Sequence, residues 1–164
     1  MNKTLSTKEI VLTGLGIAMT FIATLYIKIP NALDGYFNLG DGFILLFASV
    51  LNPFLSFIVG GVGSALADVA GGYAYYFIPT LIIKGLEAIV VSYLLKKFGA
   101  EKRLYFYGIG AVIMVVGYFF AKWYLKGSYA IALLGIPENI FQSAVGVIIA
   151  MLCYPMVKNM NIKK

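Results

Sequence analysis

The sequence predicts an all-α integral membrane protein, a bundle of six transmembrane helices with both termini cytoplasmic. Three observations predict it. The first is composition: of 164 residues, 61% are hydrophobic and 12% charged, with a mean hydropathy of +0.90, whereas a soluble domain is about a quarter charged. A water-soluble fold of this length leaves too much surface exposed to hide so much apolar material. The second is that the apolar residues gather into runs near the length of about 20 that crosses a bilayer as a helix. The third is that the basic residues cluster between those runs, as cytoplasmic loops do.

The first run, Ile10 to Ile29, ends at Pro30. The short basic start "MNKTLSTKEI" invites reading as a secretory leader, but no small-residue cleavage site with a mature domain follows, so the run reads as a retained helix. A polar connection, "PNALDGYFNLGD", comes next. The stretch from Gly42 to Gly72 is too long for one helix and is interrupted at Asn52-Pro53-Phe54, where Pro53 disfavours helical geometry in the residue before it. Further runs span Phe77 to Leu95, Leu104 to Leu125 and Pro137 to Val157, with Pro79 and Pro137 in first turns, where a missing N–H costs little.

Charge decides whether Gly42 to Gly72 holds one span or two. Nine of the thirteen basic residues fall in three places: Lys3 and Lys8; Lys96, Lys97, Lys102 and Arg103; and Lys158, Lys163 and Lys164. Two spans put all three groups on one side, whereas one span turns the central group of four outward. Six helices follow, in a single domain of residues 1–164. The net charge of +6 is then explained by topology and contact with anionic lipid, and no nucleic-acid partner is needed.

Several chemistries are excluded. There is no histidine and Cys153 is the only cysteine, which removes disulfide frameworks, Cys/His zinc sites and histidine-based triads. No G-x-x-x-x-G-K-[ST] phosphate loop occurs, so ATP is not hydrolysed by that route. With no nucleophile–base or metal constellation in view, no catalytic residue, metal or cofactor is assigned.

Small residues recur four apart. The first helix carries Gly14 with Ala18 and Gly16 with Thr20 and Thr24; the third carries Gly60 with Ser64, Gly61 with Ala65 and Gly63 with Ala67. Such ridges let helix backbones approach closely in lipid, either within the bundle or against another membrane subunit. Ionisable residues inside the spans are more telling, because their burial is costly. In "TLIIKGLEAIVV", Lys84 lies seven residues into the fourth helix, about 10 Å along its axis. Glu87 is on the same face one turn deeper. The two either neutralise each other or form the polar floor of a pocket open to the outside.

The outer ends supply further candidates. Asn38 and Asp41 close the first outer connection, Asp68 nears the outer end of the third helix, and "GGYAYYF" contributes Tyr73 and Tyr76. Trp123 and Tyr124 end the fifth helix, and Glu138, Asn139 and Gln142 open the sixth. Singly, such aromatics are interfacial anchors. Converging, they make walls and polar groups of the kind that hold a small molecule.

The order of these features resembles the substrate-binding S component of energy-coupling factor (ECF) vitamin transporters. The residues that carry the resemblance run from Gly35 to Val90, with Asn38-Leu39-Gly40-Asp41 opening the second helix, "SALAD" in the third and "IIKGLE" in the fourth. The resemblance implies a multi-pass protein of the bacterial cell membrane. It would take up a vitamin from outside and reorient in the bilayer by toppling. Its partners would be a membrane coupling subunit (the T component) and two cytoplasmic ATPases. The family's first helix usually carries an A-x-x-x-A pair that docks the coupling subunit; Gly14, Ala18, Gly16 and Thr20 are the nearest equivalents here. Nickel and cobalt members depend on an N-terminal histidine, which is absent, so the substrate is organic. Among vitamins, pyridoxine or a relative is the closest fit, with hydroxymethylpyrimidine, thiamine and riboflavin as alternatives. An autonomous secondary transporter and a membrane scaffold protein remain as readings from other classes.

Overall fold

A computed structural model describes residues 5–30 and 36–160. Lys3, Lys163 and Lys164 of the basic groups, and residues 31–35 of the first outer connection, lie outside the described residues. The chain is an all-α membrane bundle with one small hairpin. Helix α1 (Thr7–Leu25) leads into a two-stranded antiparallel hairpin, β1 (Lys28–Pro30) and β2 (Tyr36–Asn38), in which Lys28 pairs with Asn38. Then come α2 (Gly40–Ala48), α3 (Pro53–Phe57) and α4 (Gly63–Ala70), α5 (Phe77–Phe98), α6 (Arg103–Lys126), a short α7 (Tyr129–Leu134) and α8 (Ile136–Val157). A single π turn, Ile58–Val62, joins α3 and α4 into one continuous rod.

Among the described residues, five helical stretches are long and apolar enough to cross a membrane: Thr7–Leu25, Pro53–Ala70, Ala74–Phe98, Ala100–Lys126 and Tyr129–Met160. The expected second span is shorter than the others. Helix α2 has nine residues, a rise of about 14 Å, and the turn after it reaches Asn52, whose Nδ2 lies 3.4 Å from Glu9 Oε1 at the start of α1, so the segment still carries the chain from the hairpin end of the bundle to the other. Eight of its residues are buried, Asp41 among them. A helix apolar on every side belongs inside a bundle. The chain then turns through Ser49–Leu51, and Asn52 caps α3 by accepting from the Leu55 N–H at 2.9 Å. Pro53 sits at the start of that helix, where its ring is pre-set for helical φ.

This short buried helix is shared by both apolar cores. Leu45 and Ala48 pack with Val91, Leu95, Phe106, Tyr107 and Ala150, joining α2 to α5, α6 and α8. On its other side Phe47 packs with Leu12, Leu55 and Val59, joining α2 to α1 and the α3–α4 rod. Glycines set how closely the neighbours approach. A Cβ on Gly146 of α8 would stand 2.6 Å from the Asp41 Cβ, and one on Gly42 would meet Ile149 at 2.6 Å. The π turn is the other tight contact: a Cβ on Gly60 would stand 2.5 Å from the Lys84 carbonyl oxygen, and one on Gly61 would stand 2.7 Å from that of Leu81. The small residues of this rod therefore serve packing within the chain.

The two pairs on α1 separate. Gly16 and Thr20 face inward, Gly16 against Val59 and Phe47, and Thr20 against Gly63. Gly14 and Ala18 lie on the exposed face, and nothing stands within 4 Å of a Cβ built on Gly14.

Gly60→Ala should therefore lower stability by about 1–3 kcal/mol, because the backbone oxygen it meets cannot rotate away. Gly14→Ala should match or exceed the wild type, gaining up to about 1 kcal/mol of helix propensity. Thermal unfolding of the purified protein in detergent checks both. Equal midpoints for the two variants would contradict the packing described.

Candidate functional site

At the end of the bundle that carries the hairpin, a cleft of about 570 Å³, its mouth included, opens between α1, α4, α5, α6 and α8. Its floor is built around Lys84, which is 2% exposed. The Lys84 Nζ pairs with the Asp41 carboxylate and, at 3.2 Å, with Glu87 Oε2. Asp41 stands in the first turn of α2, where the helix dipole favours a negative charge. The helix start thus delivers a carboxylate onto an almost wholly buried ammonium at the base of the cleft.

A second layer fixes the first. Gln142 of α8 donates from Nε2 to Asp41 Oδ2 at 2.6 Å. Its Oε1 accepts from the Asn38 backbone N–H at 3.0 Å and from Asn38 Nδ2 at 3.2 Å. Asn38 Oδ1 accepts in turn from the Gly40 N–H at 2.9 Å. One chain of hydrogen bonds therefore ties the hairpin, α2, α5 and α8. Every polar atom of the Gln142 amide is aimed by it, which gives the floor one arrangement. Glu87 Oε1 has no hydrogen-bond partner among the described residues.

The walls are tyrosines and hydroxyls. Tyr118 places its ring 5.5 Å from Lys84 Nζ, within range of a cation–π attraction, and its hydroxyl lies 3.0 Å from Thr80 Oγ1. Tyr36 reaches across from the hairpin and donates to Asp68. Burial, with the Asp68 charge beside it, pushes the Tyr36 phenol up, so it keeps its proton and stays a donor. Tyr73 packs against Tyr36 with ring centroids 4.9 Å apart and the planes tilted by 50°, and Lys28 Nζ sits over both rings while donating to the Gly71 carbonyl at 3.3 Å.

Of the residues singled out in the sequence, Asn38, Asp68, Tyr73, Tyr76 and Lys84 line the cleft, as do Glu138, Asn139 and Gln142. Asp41 and Glu87 lie directly behind the floor, paired with Lys84. Trp123 and Tyr124 stand elsewhere. On α6 the cleft-facing residues are Tyr118 and Lys122, one turn apart. Positions 123 and 124 are rotated away by about 100° and 200°. Trp123 instead packs with Phe119, Phe120 and Tyr129 on the outer surface, and Tyr124 is 87% exposed.

The cleft also uses Thr24, Tyr36, Ser64, Thr80, Tyr118 and Lys122, which sequence reasoning passed over. Helical periodicity holds the signal for three of them. Ser64 is one turn before Asp68, Thr80 one turn before Lys84, and Thr24 one turn beyond Thr20. Tyr36 shares a strand face with Asn38.

Comparison with known proteins gives concordant results. A family model described as "ECF-type riboflavin transporter, S component" matches residues 4–160. An uncharacterized protein in the gap 3' region of Pyrococcus woesei is 36% identical over 130 residues, which is 78% of this chain and 86% of that protein. A UPF0397 protein of Leuconostoc citreum (strain KM20) is 32% identical over 68 residues, 41% of this chain and 36% of its own length.

The floor generates a stability prediction. Lys84→Met strands two buried carboxylates and should cost about 3–5 kcal/mol. The triple change Asp41→Asn, Lys84→Met and Glu87→Gln removes every charge, keeps volumes similar, and should recover most of that loss. Unfolding midpoints in detergent read the difference. A triple variant as unstable as the single one would contradict charge compensation as the role of the carboxylates.

Proposed function

The chain belongs to the S-component family of ECF-type riboflavin transporters, and from that premise we propose that its cleft captures a small heteroaromatic vitamin. As a member of that family it is a membrane-embedded, substrate-binding subunit of a vitamin transporter, a multi-pass protein of the cell membrane. Transport, and no enzymatic reaction, is the family's activity.

The observation that carries the ligand reading is the floor. Lys84 is held charged by two carboxylates, and Gln142 is locked by Asn38, beneath tyrosine rings that offer flat apolar faces. A planar ring can lie against Tyr73, Tyr76 or Tyr118 while its polar edge meets the floor and Asn139. Pyridoxine suits this arrangement, because its ring nitrogen, ring hydroxyl and two hydroxymethyl groups match a site with polar groups on several sides. Riboflavin is the second reading, favoured by the description of the family model. In either case a ligand lacking a matching polar group leaves buried donors and acceptors unpaired and is rejected.

The orientation follows from charge. Lys8, Lys96, Lys97, Lys102, Arg103 and Lys158 sit at the end of the bundle opposite the cleft. Basic residues mark the cytoplasmic side. The cleft then opens outward, and both termini are cytoplasmic. Gly14 and Ala18, exposed together on α1, suit close approach by a membrane coupling subunit, which two cytoplasmic ATPases would drive. Gly16 and Thr20, buried against Val59 and Gly63, support that surface from behind.

Binding is read by titration calorimetry on the purified chain with pyridoxine, riboflavin, thiamine and hydroxymethylpyrimidine. One of them should bind with a Kd below about 1 μM, equivalent to about −8 kcal/mol. If none binds, the vitamin reading fails. Gly14→Leu with Ala18→Leu should leave that affinity unchanged and abolish uptake into vesicles containing the coupling subunit and ATPases. Uptake by the chain alone, driven by an ion gradient, would instead make it an autonomous secondary transporter.

A further inference from the structure

Hydroxyls inside a helix normally turn back onto the carbonyl one turn earlier. Thr13 does so to Glu9 at 2.7 Å, Ser56 to Asn52 at 2.9 Å and Ser49 to Leu45 at 3.0 Å. Three hydroxyls where α1 meets α4 do not. Thr20 Oγ1, Thr24 Oγ1 and Ser64 Oγ are buried and have no hydrogen-bond partner among the described residues. Thr20 is sealed against Gly63, whereas Thr24 and Ser64 both line the cleft, at 4% and 2% exposure. Thr24 Oγ1 occupies the room that a side chain at Gly40 would fill, since a Cβ there would stand 2.1 Å from it. Buried polar groups are nearly always paired, so two unpaired ones on side chains that line a single cleft call for a partner from outside the chain.

We infer that Thr24 and Ser64 form a hydroxyl-recognition subsite that takes an alcohol group of the ligand, a hydroxymethyl or polyol arm, separately from the charged floor. The inference rests on the reading that the cleft holds a vitamin, and it adds which part of the ligand goes where. An alcohol is donor and acceptor at once and can complete two rotatable hydroxyls together. A carboxylate or phosphate is disfavoured at the same place. Asp68 lies one turn from Ser64, Glu138 shares the cleft, and the Lys84 ammonium is already taken by Asp41 and Glu87. The ligand's ring then lies over the floor, and its alcohol arm points into the seam between α1 and α4.

The test compares ligand pairs that differ in this arm: pyridoxine with 4-deoxypyridoxine, and riboflavin with lumiflavin. Calorimetry on the full chain should show the hydroxylated member of one pair binding at least about tenfold more tightly. In the double variant Thr24→Val, Ser64→Ala that preference should fall to about twofold, with the affinity for the deoxy member kept. Ligand-free, the variant should unfold at or above the wild-type temperature, since it loses two unpaired buried hydroxyls. A variant that keeps the preference, weakens both members alike or unfolds early overturns the subsite. Wild-type protein that binds both members of a pair equally overturns the subsite alone. Wild-type protein that binds neither pair overturns the subsite, and overturns the vitamin reading with it when thiamine and hydroxymethylpyrimidine also fail to bind.

Discussion

One almost wholly buried ammonium shared by two carboxylates at the base of the cleft is what the rest of this bundle is arranged around. Isolated, none of Asp41, Lys84 and Glu87 could remain charged at such a depth, because moving an ion out of water costs several kcal/mol that only close, well-oriented partners offset. Lys84 and Glu87 come one turn apart on α5, but Asp41 arrives from a different helix, 43 residues earlier in the chain. Its delivery explains why α2 is short and buried. The helix begins where its first turn can meet Lys84, and it ends where Asn52 and Pro53 turn the chain back. Such a network stabilises less than apolar packing of the same volume would. What it provides is one fixed register among the hairpin, α2, α5 and α8.

That register gives the cleft its shape. The floor is rigid because each polar atom of Gln142 is engaged, and it is close because Gly42 and Gly146 let α2 and α8 touch. The π turn, with Gly60 and Gly61 against the Lys84 and Leu81 carbonyls, brings the α3–α4 rod close to α5. π turns inside helices often occur at functional sites. Here the turn leads directly into the helix that carries Ser64 and Asp68 to the cleft wall. Packing, polar order and site geometry are thus set by the same few contacts. A membrane binding subunit gains from this, since a preformed site avoids the cost of ordering side chains when its ligand arrives.

Much of this was legible in the sequence, and the parts that were not fail for physical reasons. Composition and charge gave an α-helical membrane protein, and the resemblance carried by "NLGD", "SALAD" and "IIKGLE" agrees with the family match across residues 4–160. Hydropathy could not tell that the second helix is short and buried on every side. "GFILLFASVL" is apolar on all sides either way. Lys84 with Glu87 stood out because three-residue spacing is local, whereas their partnership with Asp41 depends on tertiary structure. Trp123 and Tyr124 occupy the right level of the bundle but the wrong face, since depth follows from residue number and facing only from packing. Ser64, Thr80 and Thr24 are small and unremarkable by composition, and they matter because they recur one turn from more conspicuous neighbours.

The proposed function requires a vitamin to rest on the Asp41–Lys84–Glu87 floor. An experimental structure of the chain with its vitamin bound tests this most directly. The expected structure has a ring lying against the cleft tyrosines, a polar edge within hydrogen-bond distance of Lys84, Gln142 or Asn139, and the Lys84 pairing with both carboxylates kept. A ligand bound outside the cleft, or one that enters it only by drawing Lys84 away from Asp41 and Glu87, would contradict it.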